Sequence, residues 1–177
     1  QLRGEVSRIF PREEPIIFNH ARHLSSGNDV SLLTSGIMTE EALRALPLIK
    51  DKGVGVDHLH ISTLKPFSDP QVVQSVSNAQ HAVITMENHS IVGGLGSAVA
   101  EVMAENGVGT PLQRIGIRDT YAHGASQKYL MAELGLDARA LVTAVEKALG
   151  KSLGISDDEL SDARIIDVHS SAKAEAL

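Results

Sequence analysis

A three-layer α/β/α sandwich with a mainly parallel sheet is the fold class this sequence predicts, and three observations lead to it. Short apolar, strand-like runs alternate with helix-like segments at about 25 to 30 residues per unit, the spacing of strand-helix-strand crossovers. The core must be built from Val, Ile, Leu and Ala, because the chain holds three Phe, two Tyr and no Trp, and such a composition suits strands buried on both faces. The 177 residues match one ordinary domain with extra segments, able to bury roughly 70% of the surface of the unfolded chain. The domain is placed over residues 29–150.

Taken in order, residues 1–28 read as an arm or interdomain linker, since Pro11 and Pro15 interrupt any helix and Ile16-Ile17-Phe18 is the only apolar knot. Val30 to Thr34 reads as the first strand. Thr39 then stands as an N-cap, with Glu40 and Glu41 favourable at the positive end of the helix dipole. Ala42, Leu43, Leu46 and Ile49 supply that helix's apolar face, which Pro47 is expected to bend or weaken. Val54 to Ile61 makes a second strand that includes His58 and His60. Ser68-Asp69-Pro70-Gln71 has the capping-box spacing and a proline tolerated in the first turn of a helix that carries Val72, Val73 and Val76.

Ala82 to Thr85 reads as a buried strand, followed by a polar turn, a glycine cluster and a helix ending at Asn106-Gly107. Leu112 to Ile117 is the fourth strand. Ser126 caps a short helix to about Leu134, and Asp137 caps the last one through Leu149. Residues 151–177 lack strong periodicity and read as a poorly ordered tail.

Charge and composition narrow the function. A net charge of -6 without clustered Lys or Arg argues against a nucleic-acid surface. Cysteine is absent, which excludes disulfides, thiolate metal sites and a cysteine nucleophile. No apolar run reaches membrane-spanning length and no signal-peptide pattern opens the chain, so a soluble cytoplasmic protein is expected. The start Gln1-Leu2-Arg3-Gly4, without an initiator methionine, points to processing or to an excised fragment.

Four groups of residues invite a chemical reading. Gly93, Gly94 and Gly96 open a helix after a strand and admit close approach, either of a ligand anion or of another piece of protein. The dinucleotide fingerprint is incomplete, because Val99 stands where its last glycine belongs and no acidic residue ends the next strand. Paired histidines, His58 with His60 and His20 with His23, invite a metal but lack a fixed set of further ligands. Glu87 and His89 form a possible acid and base pair without an orienting third group. Arg118, Asp119, Thr120, Tyr121 and His123 lie in a loop after a strand, where open α/β sheets place functional groups, although a loop held by its own Asp and Thr is an equal account. The pattern G-x-S-x-G is absent.

Four ordered segments carry a family resemblance: DVSLLTSGIMTEEAL from Asp29, STLKPF from Ser62, ENHSIVGGLGSAVAE from Glu87 and IRDTYAHGAS from Ile117. Over residues 29–149 the chain resembles the C-terminal domain of transketolases, above all the forms encoded as separate halves. Deoxyxylulose-phosphate synthases and the β subunits of 2-oxoacid dehydrogenases carry similar domains. The resemblance implies a five-stranded mixed sheet with one antiparallel edge strand. It implies an enzyme that moves a two-carbon ketol unit between sugar phosphates with thiamine diphosphate and a divalent metal, Mg²⁺, both held in the complete enzyme by parts outside this chain. Residues 1–10 resemble the closing strand of the preceding pyrimidine-binding domain.

On that reading the chain carries no catalytic, cofactor-binding or metal-binding residue, is inert alone, and serves assembly. Its partners are the N-terminal and pyrimidine-binding parts of the same enzyme, in a homodimer of the complete enzyme. Asn88, His89, Ile91, Val92, Gly93, Gly94 and Gly96 are the expected protein interface. A free-standing nucleotide-binding module that uses the Gly93 to Ser97 helix start is the competing hypothesis.

Overall fold

The computed structural model describes residues 8–11 and 13–163. Five strands and six helices follow in the order β1 (Arg22–Ser25), β2 (Val30–Thr34), α1 (Met38–Asp51), β3 (Val56–His60), α2 (Pro70–Asn78), β4 (Ala82–Ser90), α3 (Leu95–Glu105), β5 (Leu112–Ile117), α4 (Gln127–Glu133), α5 (Ala138–Leu149) and α6 (Asp157–Asp162). The sheet order is β1-β3-β2-β4-β5. β2 pairs in parallel with β3 (Val30 opposite Val56) and β4 (Val30 opposite Ala82), and β4 with β5 (Val83 opposite Leu112). β1 is the antiparallel edge strand, Arg22 opposite His60. The mixed five-stranded sheet that the resemblance implied is thus the one observed.

Two cores cover the sheet. Val30, Leu32, Ile84 and Met86 pack with α1, α5 and α6 on one face, and Leu33, Leu59, Val83 and Leu95 pack with α2 and α3 on the other. All five residues of β2, Val30, Ser31, Leu32, Leu33 and Thr34, are buried, as its central position in the sheet demands. Each fully buried Leu or Ile contributes about 1.5–3 kcal/mol of transfer free energy, and Val, Leu, Ile and Ala together make up most of both clusters.

Several local expectations need correction. Thr39 is not a helix cap: α1 begins at Met38, and the Thr39 hydroxyl bonds inward to Thr34 and His60 at 2.8 and 2.7 Å. α1 runs on through Pro47 to Asp51. Asp69, not Ser68, caps α2, accepting from the Gln71 amide at 3.0 Å with Pro70 in the first turn. Ser126 and Asp137 do cap α4 and α5.

β4 does not stop at Thr85 but continues as strand to Ser90. The stretch read as a linker arm contributes β1, because Arg22–Ser25 satisfies the open edge of β3. Residues 151–163 are ordered: Leu153, Ile155 and Leu160 enter the core under α5, and Ser156 with Glu159 forms a reciprocal capping box on α6. The remainder of the expected tail, 164–177, and the closing-strand reading of 1–7 lie outside the described residues. Among the described residues no helix is long and apolar enough to cross a membrane.

Candidate functional site

The glycine segment is built around one carboxylate. β4 carries Glu87 to the start of α3, where its Oε2 accepts from the Leu95 amide at 2.7 Å and its Oε1 from the Gly96 amide at 2.9 Å. Gly94, the N-cap of α3, has no side chain with which to cap, so the strand supplies the anion that the helix start attracts. Glu87 is almost wholly buried.

Each glycine of the segment has its own cause. A Cβ on Gly94 would collide with Glu87 Oε2, and one on Gly96 would lie 2.6 Å from Arg114 Cδ and 2.9 Å from Thr85 Oγ1. Gly93 has open space around it and is required by its φ of +72°. The loop is fastened from within: Ser97 Oγ accepts from the Gly93 amide and donates to the Ile91 carbonyl, each at 3.0 Å, and Arg114 donates to that carbonyl at 3.1 Å.

A phosphate is therefore excluded from this helix start, since its amides are already bonded and a buried carboxylate would repel it. At the carboxyl ends of β2 and β4, where open α/β sheets bind ligands, the Asn88 side chain lies close to the backbone of Gly36. There a Cβ on Gly36 would sit 2.8 Å from the Asn88 side chain. Of the expected interface residues, Gly94 and Gly96 face the domain's own Glu87 and Arg114, and Ile91 is buried. His89, Val92 (69% exposed) and Gly93 remain at the surface, with Asn88 half-buried. Glu87 and His89 form no acid and base pair, because the first is spent on α3 and the second is exposed.

The histidines separate onto opposite faces of the sheet. His58 Nε2 bonds Thr34 Oγ1 at 2.8 Å, Thr34 bonds Thr39, and Thr39 bonds His60 Nδ1, making a buried chain beside α1. Burial, with a further contribution from His60, pushes the His58 pKa down to about 3. Burial, with the nearby Arg22 charge, pushes that of His60 down to about 4. Both rings are neutral at pH 7, and His58 Nδ1 has no hydrogen-bond partner among the described residues. On the α2 side His23 Nε2 meets Asp57 at 2.7 Å, Asp57 accepts from Ser75, and Ser75 bonds Ser31. The carboxylate, not the imidazole, stands in the middle of that chain, so it ties elements together and does not activate a serine hydroxyl. His20 lies 3.5 Å from Asp69. Among the described residues no three His, Asp or Glu side chains converge as metal ligands.

Arg118, Asp119, Thr120, Tyr121 and His123 all lie exposed. Arg118 turns back to the Arg114 carbonyl at 3.3 Å, and His123 approaches Glu133 at 3.7 Å and the edge of Tyr129. The structure thus brings these loop residues to no common point. Sequence reading missed a cleft of about 690 Å³ between α1, α4, α5 and α6, lined by Glu41, Arg44, Met131, Arg139 and Leu160. Glu41 accepts from the Ala138 amide at the start of α5. Burial raises its pKa against the opposing pull of Arg44 and that amide. α6, which closes the cleft, lies in the stretch whose sequence lacks strong periodicity.

Comparison with known proteins converges on one family. Residues 19–141 match the model of the transketolase C-terminal domain. The chain is 38% identical over 146 residues to the 6-deoxy-6-sulfo-D-fructose transketolase subunit SqwH of Clostridium sp., covering 82% of this chain and 45% of that protein. It is 32% identical to a 1-deoxy-D-xylulose-5-phosphate synthase of Parabacteroides distasonis, covering 82% of this chain and 23% of the relative. The solved structure of a split-gene transketolase, an inactive β4 tetramer, superposes with a TM-score of 0.74 at 34% identity, over 82% of this chain and 47% of that one. The chain spans less than half the length of these relatives.

Proposed function

The chain belongs to the transketolase C-terminal domain family, and on that premise we propose that it is the assembly domain of an enzyme transferring two-carbon ketol units between sugar phosphates. The observation that carries this reading is the Glu87 carboxylate in the α3 helix start. The most ligand-like feature of the sequence is neutralised from within, which leaves a fastened loop whose surface residues are suited to protein contact. Thiamine diphosphate and its divalent metal would be held by the parts of the enzyme outside this chain. His89, Val92 and Gly93, with Asn88, would face those parts or the other half of a dimer, in the cytoplasm.

Mixing the purified chain with thiamine diphosphate, Mg²⁺ and pentose phosphate donors is expected to give no ketol transfer. Adding the polypeptide that corresponds to the remainder of the enzyme should restore turnover. Transfer by the chain alone would refute the assembly reading. Val92→Asp is expected to weaken the reconstituted complex while leaving the fold of the chain intact. The similarity to deoxyxylulose-phosphate synthases supports a second reading, and formation of 1-deoxyxylulose 5-phosphate instead of ketol transfer in the reconstituted enzyme would favour it.

A further inference from the structure

The segment before β1 is a loop held at both feet with an apolar tip in water. At one foot the Arg22 guanidinium donates to the Glu14 and Pro15 carbonyls at 3.4 and 3.3 Å and meets the Glu14 carboxylate at 3.4 Å. The same group lies 4.1 Å above the Phe10 ring, which in turn rests 4.9 Å from the His60 ring. At the other foot Asn19, with φ of 55°, is bonded three ways. Its amide donates to Thr63 Oγ1 at 3.2 Å, its Nδ2 to Ser68 Oγ at 3.0 Å, and its Oδ1 accepts from the Ser68 amide at 3.2 Å.

Between these feet stand Ile16, Ile17 and Phe18, exposed by 77, 57 and 71%. A slack loop would fold such side chains onto the nearest apolar surface, whereas this one is pinned so that they point away. We propose that the Ile16-Ile17-Phe18 tip is a preformed docking knob for the polypeptide that makes up the other half of the relatives' length. This deepens, and rests on, the assembly reading above.

The choice of partner follows from position and charge. The match to a C-terminal domain begins at residue 19, immediately after the tip, and more than half of the split relatives' length lies outside their match to this chain. From Phe10 to Phe18 an extended chain reaches at most about 30 Å, so whatever precedes this domain in the enzyme lies within reach of the tip. A lipid surface fits less well, because Glu13 and Glu14 flank the tip and Arg22 is already engaged, while anionic membranes recruit clustered cations. Pinning also serves association, since a tip already ordered loses little conformational freedom on docking.

Hydrogen exchange of the peptide spanning residues 13–19 tests the proposal, measured in the chain alone and in the complex reconstituted with the remainder of the enzyme. At least tenfold slower exchange in the complex is expected. The double variant Ile16→Ser with Phe18→Ser should raise the dissociation constant at least tenfold while leaving the melting temperature of the isolated chain unchanged. Equal exchange in both states, an unchanged dissociation constant, protection that grows with concentration of this chain alone, or capture by phosphatidylserine vesicles would each overturn it. An active complex with an unprotected tip sinks this inference and leaves the assembly reading standing; failure to form any complex sinks both.

Discussion

Glu87 and Leu95 are joined by a 2.7 Å bond from a strand carboxylate to a helix amide, and the loop between them takes its shape from that bond. Because the α3 N-cap is a glycine without a capping side chain, Glu87 is the group that satisfies the helix start from outside the helix. The helix start that looks like a phosphate cradle in sequence thus holds an internal anion, and Gly94 is the glycine that anion requires.

Removing that anion should cost stability before it costs anything else. Glu87→Gln keeps the shape but turns one oxygen into a donor facing an amide, an expected loss of about 1–3 kcal/mol in urea unfolding. Gly94→Ala drives a methyl into the carboxylate, with a loss of about 1–3 kcal/mol from overpacking. Because the two changes share a contact, Gly94→Ala should cost less in a Glu87→Ala background, the cost that remains coming from the Ser90 carbonyl 2.7 Å from the added methyl. Simple additivity in the double-mutant cycle would show that the carboxylate does not shape the loop.

The buried histidine chain makes a prediction about pH. Both imidazoles bind protons less readily folded, at about 3 for His58 and about 4 for His60, than unfolded, near 6.5. A depressed value means the unfolded state takes up the proton first, so this contribution to stability is complete above pH 6.5 and is lost as pH falls toward 4 and then 3. Where both unfolded rings are protonated and both folded rings are not, the slope approaches about 2.7 kcal/mol per pH unit. Denaturation midpoints at pH 7.5 and 5.5 should therefore separate clearly in the parent chain, and His60→Gln should remove about half of the separation. Identical midpoints would mean that the rings are protonated in the fold.

What the sequence revealed and what it hid divides along local and non-local causes. Val30 to Thr34 was legible because Val30, Leu32 and Leu33 mark a buried strand, and Ser126 and Asp137 were legible because capping is a short-range bond. Arg22–Ser25 was not, since an edge strand of Arg, His, Leu and Ser shows no periodicity and exists only because β3 offers it an edge. The strand continuing through Glu87 and Asn88 looked like a turn because its polar side chains answer to Leu95 and to Gly36, partners brought together only by the fold. Thr39 was misread as a cap for the same reason, its partners being Thr34 and His60. The glycines marked the right place; Glu87, which explains Gly94, lies seven positions away, and Arg114, which explains Gly96, lies eighteen, so both could be recognised only in three dimensions.

The chain from His23 through Asp57 and Ser75 to Ser31 fastens the edge strand β1 to the rest of the domain. Ser75→Ala would leave a half-buried Asp57 oxygen without that donor, at a cost of about 1–3 kcal/mol. Because β1 is held on one side only, the loss should appear first as faster hydrogen exchange in residues 22–25, with β2 and β4 protected as before. Uniform acceleration across the sheet would argue that the chain supports the whole core and not its edge.

Residues 151–163 make the last prediction. Leu153, Ile155 and Leu160 are each less than a tenth exposed and join the core on the α1 and α5 face, while Arg139 holds the segment through Asp157 at 2.6 Å and the Ile155 carbonyl at 2.8 Å. Leu160→Ala removes buried methyl groups from this junction and should cost about 2–3 kcal/mol in urea unfolding, at the lower end for a core leucine because α6 is short and can relax. Arg139→Ala should cost less, about 1 kcal/mol or below, since its ion pair with the exposed Asp157 is screened by solvent. If Leu160→Ala proved as mild as Arg139→Ala, the segment would be a surface appendage, and the boundary of the domain would return to residue 150.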